Sequence, residues 1–146
     1  MNIFLRHGEV ENPKNILYYN IPGYELSKKG SKQAEHVAKK INKDFKIEKI
    51  ISSPLLRARQ TTEIVNKILQ KEIVISEKIT EWGGIKNWIG ATNFEIQQSA
   101  EYKIYIDNPL ELNTDESFFD TFQRVNKLYE NNENVLFVTH QVVITE

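Results

Sequence analysis

Apolar positions along this chain follow two rhythms. Short unbroken runs, "NIFLR" (2–6), "KIISS" (49–53), "EIVIS" (72–76) and "NVLFVTH" (134–140), read as strands. Between them, apolar residues recur at helical spacing. Ser27 is placed to cap a helix running to about Asn42, with Ala34, Val37, Ala38 and Ile41 on its apolar face. Pro54 stands where a helix favours its first residue, and the pattern stays helical to residue 70. Residues 92–107 also read as helical. In 116–130, Phe118, Phe119, Phe122, Val125, Leu128 and Tyr129 make one face. Residues 8–26 carry Gly8, Pro13, Pro22 and Gly23. Residues 77–91 carry Gly83, Gly84, Gly90, Trp82 and Trp88. Both read as long loops, and long loops in a compact domain usually serve function.

Continuous apolar strands alternating with amphipathic helices predict an α/β fold. Three layers are expected, with a mostly parallel central sheet covered on both faces. At 146 residues, the expectation is a single domain over 1–146. Ligands of such sheets bind beyond the carboxyl ends of the strands. Arg6 and His7 end the first strand. Ser52 and Ser53 end the second, with Arg57 one turn into the next helix. His140 ends the fourth. The third histidine, His36, lies in a lysine-rich helix and reads as a surface residue.

Composition narrows the choices. With 40% hydrophobic and 27% charged residues the chain is a folding sequence, not a disordered one. A net charge of -1 gives no attraction to nucleic acid or anionic membranes, and neither is expected as a partner. The absence of cysteine removes disulfides, thiolate catalysis and cysteine zinc sites, and fits a reducing cytoplasm, the expected location. No apolar stretch approaches the roughly 18 residues of a membrane span. The apolar run at the amino terminus is too short for a signal-peptide core.

Two arginines and two histidines at strand ends suit phosphate. Arginine offers planar paired donors that match phosphate oxygens. A neutral imidazole can attack phosphorus and form a phosphohistidine, while a second imidazole donates to the phosphoryl oxygens. Positioning and electrostatics carry most of phosphoryl transfer, so a cage of cations can serve without a metal. A lone histidine at a strand end is more often a satisfied structural residue. The ordered set is what favours chemistry.

The segments "FLRHGEVENP", "YELSKKGSKQAEHVAKKI", "SSPLLRARQTTEI", "ITEW...WIG", "ESFFDTFQRV" and "VLFVTHQ" resemble, in order, the phosphoglycerate-mutase-like branch of the histidine phosphatase superfamily. The resemblance implies that His7 is the phosphorylated nucleophile. It implies that Arg6, Arg57 and His140 hold the phosphoryl group and that Glu81 is the general acid. Tyr19, Asn20, Asn12 and Gln141 are the expected substrate contacts. Asn20 stands where a glycine is common, and asparagine tolerates left-handed backbone. Asn12 lies one position before a frequent asparagine of mutases. Gln141 and Val142 replace two glycines, and Gln141 keeps its backbone N–H. Around Glu81 the family's glycine four residues on is Ile85 here, so a displaced acid is one expectation. No cofactor or metal is implied.

The expected activity is metal-independent hydrolysis of a small phosphorylated metabolite through phospho-His7. The alternatives are a phosphoglycerate-type mutase, and a non-catalytic phosphate-binding member or inactive fragment. The sequence stops six residues after His140, and the domain is expected to lack a last helix and strand. That ending is expected to expose Val142, Val143 and Ile144, making a homodimer through this segment an expected outcome.

Overall fold

The computed structural model describes residues 1–145. Strands β1 (Ile3–Arg6), β2 (Lys49–Ser52), β3 (Glu72–Ile75) and β4 (Val135–Thr139) form one sheet, parallel throughout, in the order β1-β4-β2-β3. The helices among the described residues are α1 (Lys28–Asp44), α2 (Leu56–Leu69), α3 (Asn93–Gln98), α4 (Ala100–Asp107), α5 (Phe118–Glu130) and α6 (Gln141–Thr145).

Side chains alternate between the two faces of the sheet. Ile50, Leu136 and Val138 point to one face, where Ala34, Ala38 and Ile41 of α1 meet Ala58, Val65 and Leu69 of α2. Ile51, Val135 and Phe137 point to the other, where Val125 and Leu128 of α5 pack. β4, buried along its whole length, is the spine. The three-layer α/β architecture is as the sequence predicts.

Several elements differ from their sequence reading for local reasons. α2 begins at Leu56, not Pro54, because Ser53 Oγ accepts from Leu55 N–H at 3.3 Å and holds the chain in a turn first. The helix expected over 92–107 is two. Ser99 ends α3 with its N–H on Ile96 O, and its hydroxyl caps α4 by accepting from Tyr102 N–H. β3 is exposed along its length, with Ile73, Val74 and Ile75 on the free edge of the sheet. On α5 the expected aromatic face does not all bury. Thr121 takes the innermost position, Phe119 is 65% exposed, and Phe122 and Tyr129 are also exposed. The apolar run after His140 folds as α6 and buries Val143, so only Ile144 of that run is strongly exposed.

Candidate active site

Strand register brings the chemistry together. Arg6 pairs with Thr139, and Ser52 with Val138. Beyond the ladder, His7 N–H still donates to Thr139 O at 3.0 Å, and Ser53 N–H to Val138 O at 2.9 Å. His7, Ser53 and His140 therefore leave the sheet at one level. Gly8 then passes against the start of α1. A Cβ on Gly8 would lie 2.4 Å from Gly30 O, so the close approach needs glycine. Gly8 N–H donates to Thr61 Oγ1 at 3.1 Å, tying the strand end to α2. Glu9 accepts from Ser27 Oγ and Lys29 Nζ and anchors the loop.

His7 is held in one tautomer. Nδ1 lies 2.8 Å from Gly8 O, a carbonyl that can only accept, so Nδ1 carries the proton. Nε2 is left with its lone pair, which accepts from Arg57 Nε at 3.2 Å. Burial, opposed by the Gly8 bond and reinforced by the charges of Arg57 and Arg6, lowers the His7 pKa to about 4. The ring is neutral at pH 7, and its unprotonated nitrogen lies against the Arg57 guanidinium, with the charge of Arg6 also acting on it.

Arg57 is almost wholly buried. Its Nη1 donates to Tyr19 O at 2.8 Å, and its guanidinium carbon lies 4.9 Å from the centre of the Tyr18 ring. Arg59, two residues on, is exposed, as the helical spacing requires. Arg6 reaches across the strand ends, with Nη1 donating to Gln141 Oε1 at 3.0 Å.

His140 is fully buried, its ring centre 5.3 Å from that of His7. Nε2 meets Ser53 Oγ at 2.8 Å, while Nδ1 has no hydrogen-bond partner and stands 3.9 Å from Glu81 Oε2. Burial first, then Arg57 and His7, push its pKa down to about 2. This buried ring nitrogen, on the side of Glu81, is a polar atom that no protein hydrogen bond uses.

Glu81 reaches this group despite the irregular spacing around it. Gly83 makes room: a Cβ there would lie 2.4 Å from the Tyr19 hydroxyl. Burial raises the Glu81 pKa above its ordinary value, against hydrogen bonds from Trp82 and Val142 N–H and the charge of Arg57. A carboxyl group shifted this way holds a proton longer, which a general acid requires. The turn before it is clamped. Thr139 Oγ1 donates to Ile79 O at 2.6 Å. Arg124 pairs with Glu116 and donates to the carbonyls of Lys78 and Thr80 at 2.7 and 3.0 Å.

The two long loops meet as a roof over a cavity of about 320 Å³. Leu17 N–H donates to Ala91 O, Gly90 N–H donates to Leu17 O, and Ile16 bridges Thr92. Trp82 stacks on Phe118 at 4.4 Å, while Trp88 packs with Ile85 and Ile96. Both tryptophans brace the roof and line the cleft.

Arg6, His7, Arg57, Glu81 and His140 thus converge. Tyr19 also lines the cleft and accepts from Arg57 through its carbonyl, and Gln141 lines it beside Arg6. Two other expected contacts lie outside the roofed cleft. The Asn12 amide is committed at both ends to the backbone of Ile16, which closes a turn, and Asn12 lines an adjoining cavity of about 550 Å³ that also touches Arg6, His7 and Tyr18. Asn20 is exposed and outside the cleft, and the left-handed backbone expected there falls on Tyr19, at φ 30°. Residues that sequence reasoning left without a role include Ser53 Oγ behind His140, Thr61 under Gly8, Tyr18 beneath Arg57 and the Arg124–Glu116 clamp. Ser53 alone carried a signal, as a hydroxyl at a strand end.

Comparison with known proteins agrees with this geometry. The family model of the histidine phosphatase superfamily (branch 1) matches residues 2–145. The 2,3-bisphosphoglycerate-dependent phosphoglycerate mutase of Thermoplasma acidophilum is 38% identical over 82 residues, 56% of this chain and 40% of that protein. Among solved structures, Bacillus stearothermophilus YhfR superposes with a TM-score of 0.81 at 26% identity, over 98% of this chain and 75% of that one. An Entamoeba histolytica phosphoserine phosphatase, solved with 3-phosphoglyceric acid, gives 0.79 at 28% identity, over the same 98% and 75%. This chain belongs to the histidine phosphatase superfamily, branch 1.

Proposed function

We propose that the chain hydrolyses small phosphomonoesters through a phosphohistidine on His7 Nε2, without a metal. One observation carries the reading. The proton of His7 is fixed on Nδ1 by Gly8 O, leaving Nε2 unprotonated and facing the cleft beside Arg57. In the first step Nε2 attacks phosphorus, the P–O bond to the alcohol breaks, and Glu81 gives its proton to the departing oxygen. Arg6, Arg57 and His140 Nδ1 donate to the phosphoryl oxygens and balance their charge. In the second step Glu81, now a carboxylate, takes a proton from water as the water oxygen bonds phosphorus, the P–Nε2 bond breaks, and phosphate leaves with the Nε2 lone pair restored.

Incubation with a ³²P-labelled phosphomonoester is expected to label the wild-type chain at an acid-labile, base-stable bond. In His7→Ala both label and turnover disappear. Ordinary turnover by that variant would overturn the reading. Turnover is expected to persist in chelator and to be inhibited by vanadate. The mutase reading is favoured by the similarity to the Thermoplasma protein. It predicts phosphate exchange between two hydroxyls of one sugar acid with little free phosphate released.

A further inference from the structure

His7 and His140 are both buried and neutral, and a neutral imidazole carries one N–H. Gly8 O settles which nitrogen of His7 holds it. No carbonyl does this for His140. Its Nε2 meets the hydroxyl of Ser53 at 2.8 Å, and a hydroxyl can donate or accept.

The hydrogens around Ser53 decide the direction. Ser53 Oγ already accepts from Leu55 N–H at 3.3 Å. The residue is fully buried, so its own hydroxyl hydrogen needs a protein acceptor. Among the described residues, His140 Nε2 is the acceptor it meets. The neighbouring hydroxyls are committed to other atoms. Thr62 Oγ1 donates to Ser52 Oγ at 2.9 Å, and Ser52 Oγ donates to Ser53 O at 3.0 Å. Ser53 is also held by its backbone, whose N–H donates to Val138 O at 2.9 Å. Were Nε2 protonated, Ser53 Oγ would accept two hydrogens and leave its own without an acceptor in a buried site, which is costly.

We propose that Ser53 donates to His140 Nε2 and thereby fixes the proton of that ring on Nδ1, the nitrogen 3.9 Å from Glu81 Oε2. Ser53 touches no reacting atom and acts through His140 as a positioning residue. Both histidines then hold the same tautomer but turn opposite atoms to use. His7 leaves a lone pair at Nε2, and His140 presents an N–H at Nδ1. A neutral ring so fixed donates to a phosphoryl oxygen without taking up a proton from solvent. In the other tautomer its lone pair would face that oxygen and repel it. The use of this N–H rests on the phosphohistidine reading. The tautomer rests on the hydroxyl geometry alone.

Histidine side-chain ¹⁵N spectra of the full chain test it without turnover. The chain has three histidines, and His7→Gln and His36→Gln assign their signals. His140 is expected to show a protonated Nδ1 and an unprotonated Nε2. Ser53→Ala is expected to lose that single tautomer and to bind inorganic phosphate ~10-fold more weakly by calorimetry. A protonated Nε2 in the wild type overturns the proposal. So does a Ser53→Ala chain that keeps either the wild-type tautomer or the wild-type phosphate affinity. Should that variant not fold, the wild-type spectrum decides alone. The expected spectra in a chain that binds phosphate but hydrolyses nothing uphold the role of Ser53 and remove the hydrolase reading.

Discussion

His7 makes two hydrogen bonds of opposite sense, and each does a different job. The bond to Gly8 O fixes the proton, and the bond from Arg57 marks where the lone pair sits that the proposed reaction uses. The second cannot survive attack on phosphorus, because the lone pair is then shared with a new bond. In the proposed reaction Arg57 hands its Nε–H to a phosphoryl oxygen, a donor that changes acceptor in place. Lysine cannot reproduce this, since one ammonium lacks the planar set that also holds Tyr19 O. Arg57→Lys is expected to lower kcat/KM by ~10²-fold or more while the fold persists. A near-normal steady-state rate would contradict the role. Thr61→Val tests the support beneath. It leaves Gly8 N–H buried without an acceptor, which should cost about 1–3 kcal/mol in urea unfolding.

At the scale of elements, the turn carrying Glu81 is positioned from behind by α5. Arg124 grips two carbonyls of that turn while Glu116 fixes Arg124. Arg124→Lys should therefore lower kcat more than it raises KM. It should also shift the alkaline limb of the pH profile, because a loosened Glu81 is better hydrated and loses its raised pKa. The sign follows from the acid's role. His7, lowered to about 4, is deprotonated over the neutral range, so under the proposed roles the rate is expected to fall on the alkaline side as Glu81 loses its proton. Glu81→Gln is expected to reduce kcat ~10²–10⁴-fold and to remove that limb. A variant that keeps the wild-type alkaline limb would reassign the acid.

The same scale explains what could be read from sequence. Strand ends were legible, because apolar runs mark the strands and a parallel sheet shares one reactive edge. That reasoning put Arg6, His7 and His140 at one edge from spacing, and the family resemblance chose Arg57 over Arg59. Asn20 was not legible, because that part of the 8–26 loop takes its shape from partners remote in sequence, while the Asn12 amide is spent on a local turn with Ile16. Arg57 draws Tyr19 O inward, and the positive φ falls on tyrosine where residue preference pointed to asparagine. The break at Ser99 was hidden because one serine among good helix formers costs a helix interior only a few tenths of a kcal/mol, about the spread among ordinary residues.

For the whole molecule, two histidines are buried neutral, and this sets its response to acid. Their folded pKa values lie below the ordinary 6.5, so the unfolded chain takes up protons that the folded chain refuses. Their contribution is complete above pH ~6.5 and is lost as pH falls toward about 4 for His7, and further for His140. For His7 the loss over that window is roughly 3 kcal/mol. Urea unfolding should show stability declining from pH 7 to pH 4.5, with a shallower decline in His7→Gln; equal slopes would remove the assignment. The open edge at β3 is the other molecular feature. Apolar exposure lies there more than on the run after His140, so association at high concentration is expected along β3. Val74→Lys should lower it in sedimentation velocity.

The stitching of the two loops has a further consequence. The bonds that close the roof between Leu17, Gly90 and Ala91 run main chain to main chain. Substitutions at Leu17 or Ile89 can exchange what hangs into the cleft without cutting those seams. Enclosure and preference are therefore separable under mutation. A lineage could drift from one alcohol to another through single, individually tolerated changes while the floor of arginines and histidines stays as it is.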